Sequence, residues 1–308
     1  MSLTGNSPGT IASPVNTYFK ALGQGAAMAH HGEILQGVFE YDGRLHRGLV
    51  TLPCPLFHSK VFFTPQKSGV TVQPYHKQKS LTAAKLIIKG LTGGKLIIKS
   101  DIPVKWGLGS STSDITATAR AIADSLQTEL SSEQIARIAV TAETASDSIM
   151  FDNNAVLFAH REGIVLEDLG GKLPTLDVIG FNTDLTKQGV DTLSLSPARY
   201  DWKQIEAFRP LLGLLRQAIR TQDSHLVARI ASASARINQS FLPLPLFKKI
   251  ELLAKKTGAI GMQTAHSGTI VGLLYDPRVT DLENRVQRAL AVLRELGIKD
   301  LWHFRTCS

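Results

Sequence analysis

The spacing of apolar and polar positions changes several times along the chain, and each change marks a predicted element. Residues Gly48 to Val72 alternate between apolar and polar side chains, with β-branched and aromatic types, and are interrupted by Pro53, Pro55 and Pro65. That pattern predicts short strands separated by turns. Two near-identical runs follow, 85–89 and 95–99, each reading Lys-Leu-Ile-Ile-Lys. The first continues a helical stripe from Leu81 and the second runs into a proline-bounded loop, so they predict a helix and then a strand, joined over Gly90 to Gly94. Ile115 to Leu126 has helical spacing. Ser131 or Ser132, ahead of Glu133 and Gln134, caps a second helix reaching about Glu143. Ala155 to Phe158 and Leu173 to Asn182 read as strands.

Helical stripes dominate from Tyr200 to Lys256. Trp202, Ile205, Phe208, Leu212, Leu215 and Ile219 form one apolar face, and Leu226, Ile230 and Ile237 another. A glycine-punctuated loop over Gly258 to Gly268, a strand at Ile270 to Tyr275, a helix from Thr280 to Leu296 and a strand near Trp302 close the chain. This alternation agrees with an α+β layer in the C-terminal half.

Composition narrows the function classes. The 308 residues are 43% hydrophobic and 19% charged, as in a soluble globular protein with a substantial core. A net charge of +8 favours anionic ligands, but Lys and Arg are dispersed and not interleaved with aromatics, which argues against nucleic acid as a partner. Cys54 and Cys307 are too far apart in sequence to suggest a disulfide framework or a zinc site. No run spans a bilayer and no secretion signal is visible, so a cytoplasmic protein with no membrane partner is expected. Residues 1–15, rich in Gly, Ser, Thr, Asn and Pro, predict a disordered tail.

The candidate chemistry centres on Pro103-Val-Lys-Trp-Gly-Leu-Gly-Ser-Ser-Thr-Ser-Asp114. Two glycines allow close backbone approach, and hydroxyl residues sit at the free N–H groups of a helix start, a place that attracts phosphate. The alternative is an ordinary helix N-terminus capped by Ser113 or Ser111. The run is neither a Walker A loop nor a dinucleotide fingerprint. A second stretch holds the polar island His30-His31-Gly32-Glu33 and Gln36 within apolar surroundings. Burying such groups is costly unless they meet polar partners. Either a substrate satisfies them, or a β-hairpin turning at Gly32 does; two adjacent histidines without a third ligand are not assigned a metal. Glu143, Asp147 and Asp152 cluster beyond the second helix, where carboxylates could serve Mg²⁺ or a reacting hydroxyl. Thr264, His266, Ser267 and Gly268 form a third polar, small-residue loop.

Pro103 to Thr112 resembles the phosphate-binding motif of the GHMP kinases. The Ser-Ser-Thr-x-Asp-Ile continuation, Gly32-Glu-Ile-Leu-Gln-Gly37, Val190-Asp-Thr192 and Ala265-His-Ser-Gly268 are similar to the L-threonine kinases of cobalamin synthesis within that family. The resemblance covers nearly the whole chain, with three motifs in family order. It implies a two-domain α+β fold: an N-terminal domain at 16–170 like ribosomal protein S5 domain 2, and a ferredoxin-like C-terminal domain at 171–308. It implies ATP and Mg²⁺ as cofactors and phosphorylation of the hydroxyl of L-threonine, with L-serine, L-homoserine or another small alcohol as alternatives. A non-catalytic sensor on the same fold is a further alternative, and a homodimer is compatible.

By the same resemblance, Pro103, Lys105, Trp106, Gly107, Leu108, Gly109, Ser110, Ser111 and Thr112 hold ATP, and Ser111 with Glu143 holds Mg²⁺. His31, Glu33, Gln36, Asp191, Thr192, His266, Ser267 and Gly268 face the substrate. Asp147 is the expected base, with Asp152 as its rival because Asp152-Asn153 resembles a pair in mevalonate and homoserine kinases. Ala145 stands where the threonine kinases usually have proline.

Overall fold

A computed structural model describes residues 21–89, 93–184 and 199–306. The expected tail at 1–15 lies outside them. Two long strands open the fold, β1 (Gly23–Tyr41) and β2 (Arg44–Gln66). They pair antiparallel from Gly23 opposite Phe63 to Tyr41 opposite Arg44. Asp42 and Gly43 make the turn at φ +48° and +69°, which is the backbone that an Asp-Gly hairpin favours.

β2 replaces the several short strands expected between Gly48 and Val72. Pro55 is accommodated because the ladder breaks there: the register jumps from Met28 opposite His58 to Ala29 opposite Cys54, which leaves 55–57 outside the pairing, while Pro53 stands opposite His30 beside the next register shift. A bulge needs no N–H from Pro55, and Pro65 sits at the strand's end. β1 is irregular too, with shifts around His30, Glu33 and Leu35, so Gly32 (φ +65°) lies in a bulge and not in a hairpin turn.

β3 (Val70–Gln73) leads to α1 (Gln78–Ile88) and β4 (Gly93–Ser100), so the two similar runs are a helix and a strand as expected. Then come α2 (Ser110–Leu126) and α3 (Ser132–Glu143), the latter with a reciprocal capping box between Ser131 and Gln134. β5 (Asn154–Ala159), β6 (Ile164–Lys172) and β7 (Asp177–Asn182) follow. Leu173 to Leu176 connects β6 to β7, so the strand expected from Leu173 begins later. The remaining elements are α4 (Trp202–Thr221), α5 (Ser224–Asn238), α6 (Phe247–Thr257), β8 (Gly261–Thr264), β9 (Ile270–Tyr275), α7 (Leu282–Glu295) and β10 (Leu301–Arg305). Two details differ from the pattern reading. Trp202, placed on the buried face of α4, is 64% exposed at its first position, and part of the glycine-punctuated loop is strand β8.

The strands form one sheet in the order β10-β7-β9-β8-β1-β2-β4-β3, with β5 attached to β2 and β6 to β5. Among the described residues only β3 and β4 are parallel neighbours. The link between the halves of this sheet is narrow, a single pair of Glu33 with Thr264. α2 lies flush on β1: a methyl group at Gly25 would fall 2.2 Å from the Ala117 carbonyl, and one at Gly23 2.1 Å from that of Ala121. Ile115, Ala117, Ala121 and Ile122 of α2 are fully buried. Each fully buried Ile contributes about 1.5–3 kcal/mol, so this contact firmly sets where the N-terminus of α2 points.

Candidate active site

A cavity of about 680 Å³ opens between the loop before α2, the start of α1, the segment after α3 and the loop joining β8 to β9. The start of α2 supplies its floor. Gly107 (φ +91°) and Gly109 (φ +69°) hold left-handed backbone that favours glycine. No side chain caps the helix: Gly109 is the residue before it, and Ser113 instead donates to the carbonyls of Met28 (2.9 Å) and Gly109 (3.0 Å). The capped-helix alternative is therefore absent: the first-turn residues Ser110, Ser111 and Thr112 line the cavity, and no side chain caps their amide N–H groups.

The third glycine loop buttresses the first. A methyl group at Gly268 would meet the Trp106 carbonyl at 2.3 Å, and the Thr269 N–H donates to that carbonyl at 3.1 Å. Pro103, Lys105, Gly107, Leu108 and Gly109 line the cavity, whereas the Trp106 ring stacks on Trp302 at 6.0 Å between centroids.

Beyond Ser110 the carboxylates converge. α3 ends at Thr144 (φ +73°), and the reversal brings Glu143 and Asp147 back against α2, with Ala145 in the turn. Thr112 Oγ1 donates to Glu143 Oε1 at 2.7 Å and accepts from the Asp147 N–H at 3.4 Å, so one hydroxyl joins both acids. Burial pushes the Glu143 pKa above the ordinary carboxylate range, opposed by the Ser111 and Thr112 hydroxyls and by Lys79, whose Nζ lies 3.4 Å from Oε2. Ser111 is near enough to exert that pull, but its buried Oγ has no hydrogen-bond partner of ordinary geometry.

Lys77 bonds Asp114 at 2.5 Å, and Asp114 accepts from Ser59 Oγ at 2.7 Å, which anchors α1 to α2. Asp152 is not brought to this group: half-exposed, it pairs with Arg120 at 2.8 Å.

Three histidines surround Asp147. His30 Nε2 lies 3.1 Å from Asp147 Oδ2 in a nearly dry position, and His30 Nδ1 lies 3.8 Å from Glu33 Oε1. Glu33, itself buried, accepts from the His266 backbone N–H at 2.6 Å and from His266 Nδ1 at 2.9 Å. His160 packs on His266, with ring centroids 5.3 Å apart.

Burial alone would lower the His30 pKa, but the Asp147 charge and hydrogen bond raise it to about 9. Burial likewise opposes ionisation of Asp147, yet His30 first, and then His266 and His160, hold it well below the usual carboxylate range. His266 is raised against its burial by Glu33, and His160 is lowered to about 3 by burial and by His266. The His30, Glu33 and Asp147 ligand atoms lie within 4.8 Å of one another, but ion pairing already occupies them, and they are not assigned a metal.

The expected substrate-side residues divide. Gln36, His266 and Ser267 line the cavity, and Gln36 Nε2 is buried without a partner. Glu33 contacts His266 and His30, and Gly268 packs on the glycine loop before α2. His31 turns away, packing on Trp302 and Phe304 with Nδ1 on Gln263, and burial lowers its pKa to about 3. Asp191 and Thr192 lie outside the described residues.

Sequence reasoning did not place His30, Lys77, Lys79, His160, Tyr200 or Asn238 at the cavity. The signal for His30 was the doublet itself, a polar pair inside an apolar strand. For Asn238 and Tyr200 no signal was available.

Comparison with known proteins agrees with this geometry. Residues 76–158 match the GHMP kinases N terminal domain, the stretch that carries α1, α2, α3 and the cavity carboxylates Asp114, Glu143 and Asp147. The chain is 29% identical over 185 residues to the L-threonine kinase of Salmonella typhimurium, covering 60% of this chain and 61% of that one. It is 28% identical over 189 residues to the L-threonine kinase of Citrobacter freundii, covering 61% and 65%. The match thus spans less than two thirds of either relative. The structure of homoserine kinase from Cytophaga hutchinsonii superposes with a TM-score of 0.68 over 94% of this chain and 95% of that one, at 16% identity. Residues 76–158 are thus similar to the GHMP kinases N terminal domain, and the described chain, with its uncapped glycine loop, convergent carboxylates and α+β sheet, shares the fold of that homoserine kinase.

Proposed function

We propose that this protein is an ATP-dependent kinase that phosphorylates the side-chain hydroxyl of a small hydroxy amino acid, L-threonine first. One observation carries the reading: an uncapped helix start, a Ser-Glu oxygen pair and an ion-paired aspartate share one cavity. The glycine loop and α2 N-terminus suit nucleotide phosphates. Ser111 and Glu143 fit Mg²⁺, because a buried partnerless hydroxyl beside a carboxylate is a hard-oxygen donor set. When bound, Mg²⁺ supplies charge neutralisation between the phosphates. Lys77 and Lys79, both lining the cavity, add positive charge on the same side.

At the acceptor end, Gln36 Nε2 and Asn238 Nδ2 are buried amide groups without protein partners. Leaving such groups unsatisfied costs about 1–3 kcal/mol each, so a polar acceptor that meets them is favoured. Arg161 at the same cavity suits its carboxylate. The choice of L-threonine rests on the two kinases named above. One methyl group is worth only about 1–3 kcal/mol, so L-serine and L-homoserine are the acceptors to compare.

Asp147 orients the hydroxyl. A carboxylate held below its ordinary range is a weak base at neutral pH, and phosphoryl transfer depends chiefly on positioning and charge. In this reading residues 16–170 form the nucleotide-binding domain and also supply Gln36, Asp147 and Arg161 to the acceptor, while 171–308 form the second domain, which contributes Asn238 and His266. The test is ADP release with Mg-ATP against L-threonine, L-serine and L-homoserine, wild type beside Asp147→Asn. Turnover with one hydroxy amino acid, lowered about 10²–10⁴-fold by the substitution, is expected. Turnover unchanged in the variant would overturn the role of Asp147, and silence on every acceptor would overturn the substrate class.

A further inference from the structure

We infer that His30 is a positioning residue for this transfer: as an imidazolium it locks Asp147 to the phosphate loop, so that acceptor hydroxyl and nucleotide phosphates share one rigid frame. The inference rests on the kinase reading above. Three contacts carry it. The His30 backbone N–H donates to the Leu108 carbonyl at 3.2 Å, inside the glycine loop. Its ring fills the space beside Gly109, where an added methyl group would meet His30 Cδ2 at 2.3 Å. Its Nε2 holds Asp147 Oδ2 at 3.1 Å. One residue therefore touches the loop twice and the aspartate once, and all three contacts are buried.

The charges around the ring fix its state. From its own strand it faces Glu33, with the neutral His31 beside it in sequence; from the segment after α3 it faces Asp147. His266, tied to Glu33, and His160, facing Asp147, complete the surroundings. Two carboxylates flank one nearly dry imidazole, and a buried carboxylate is tolerated only with such a partner.

Because the imidazolium holds Oδ2, Asp147 offers Oδ1 to the acceptor hydroxyl as a hydrogen-bond acceptor. The hydroxyl oxygen then bonds to the γ-phosphorus while the bond from that phosphorus to the β,γ-bridging oxygen breaks. ADP leaves with the electron pair, and the hydroxyl proton passes to solvent. Asp147 stays an anion throughout.

The first test uses the unmodified protein. ¹⁵N-histidine NMR at pH 7.5 should show His30 protonated on both nitrogens and His31 and His160 neutral. A neutral His30 would overturn the inference, whether or not any variant folds. The second test is kinetic, after wild-type turnover has been established. A displacement near 1 Å costs about 10²-fold in rate, and a loss of that size in kcat is expected for His30→Ala, with the KM for ATP little changed. His30→Gln, which keeps an N–H donor, should recover part of it.

The pH profile separates positioning from folding. Without its imidazolium, the buried Asp147 takes up protons more readily, so His30→Ala should gain an acid limb in kcat that wild type lacks. Equal loss in both variants with an unshifted profile would assign His30 to the fold alone and overturn the inference. Absence of wild-type turnover would instead reject the kinase reading, while the NMR result still reports the ion pair.

Discussion

Ser111 Oγ is buried beside Glu143 and makes no hydrogen bond, so alanine at this position removes nothing the fold depends on. Ser111→Ala should leave stability within about 0.5 kcal/mol of wild type. It should nevertheless raise the Mg²⁺ concentration needed for half-maximal turnover and lower kcat about 10–100-fold, because a charge-neutralising oxygen is lost. A thermal shift larger than that limit, or an unchanged Mg²⁺ dependence, would contradict the assignment. The same scale shows what a sequence can display. The glycine-loop residues are contiguous, so the loop and the helix start it leads into could be read in order from Pro103 to Thr112. His30 and His31 are adjacent and chemically identical, yet one meets Asp147 and is raised to about 9 while the other meets Trp302 and Phe304 and is lowered to about 3. Neighbours in a strand point to opposite faces, and which face holds the carboxylate depends on a segment far along the chain.

α2 reaches the cavity at the right height because nothing stands between it and β1. Gly25 is the contact that allows this, with the Ala117 carbonyl 2.2 Å and the Ala121 nitrogen 2.4 Å from where a side chain would begin. Gly25→Val inserts a branched side chain against backbone that cannot move aside as a flexible side chain would. Such overpacking costs about 1–3 kcal/mol or more, and the urea midpoint should fall accordingly. Any variant that still folds should also bind ATP more weakly, since the N-terminus of α2 would be displaced; a normal midpoint would show that α2 does not seat here as described. Elements bounded by local signals were legible: α3 with its Ser131–Gln134 box, and the helix and strand made from two nearly identical runs. β2 was not, because a proline that breaks a strand and one that sits in a bulge look alike until the partner strand's register is known. The Asp42-Gly43 turn was a usable local signal for the first hairpin, and it went unread.

Across the whole molecule, the buried histidines set opposing limits on stability. His30 is raised from 6.5 to about 9 by Asp147, so its stabilisation is complete below pH 6.5 and is lost as pH rises through 9. Asp147, the other half of that pair, is depressed, so the same interaction is present above its unfolded value of 3.8 and is lost as pH falls further. His31 and His160 work the other way: both are lowered from 6.5 to about 3, so folding keeps them neutral and is penalised progressively as pH falls from 6.5 towards 3. Stability should therefore be greatest near pH 6.5 and decline in both directions, by about 1–2 kcal/mol at pH 5 for each buried neutral histidine. Urea midpoints from pH 4.5 to 9.5 check the shape. His160→Gln isolates one contribution, because its Nδ1 has no hydrogen bond to lose. The variant should lie close to wild type at pH 7 and above it, relative to its own neutral value, at pH 5. Parallel curves for the two proteins would mean that His160 titrates in the folded state as it does unfolded, in which case at pH 5 Asp147 would face a third cation and its hydrogen bond to His30 would be one constraint among several.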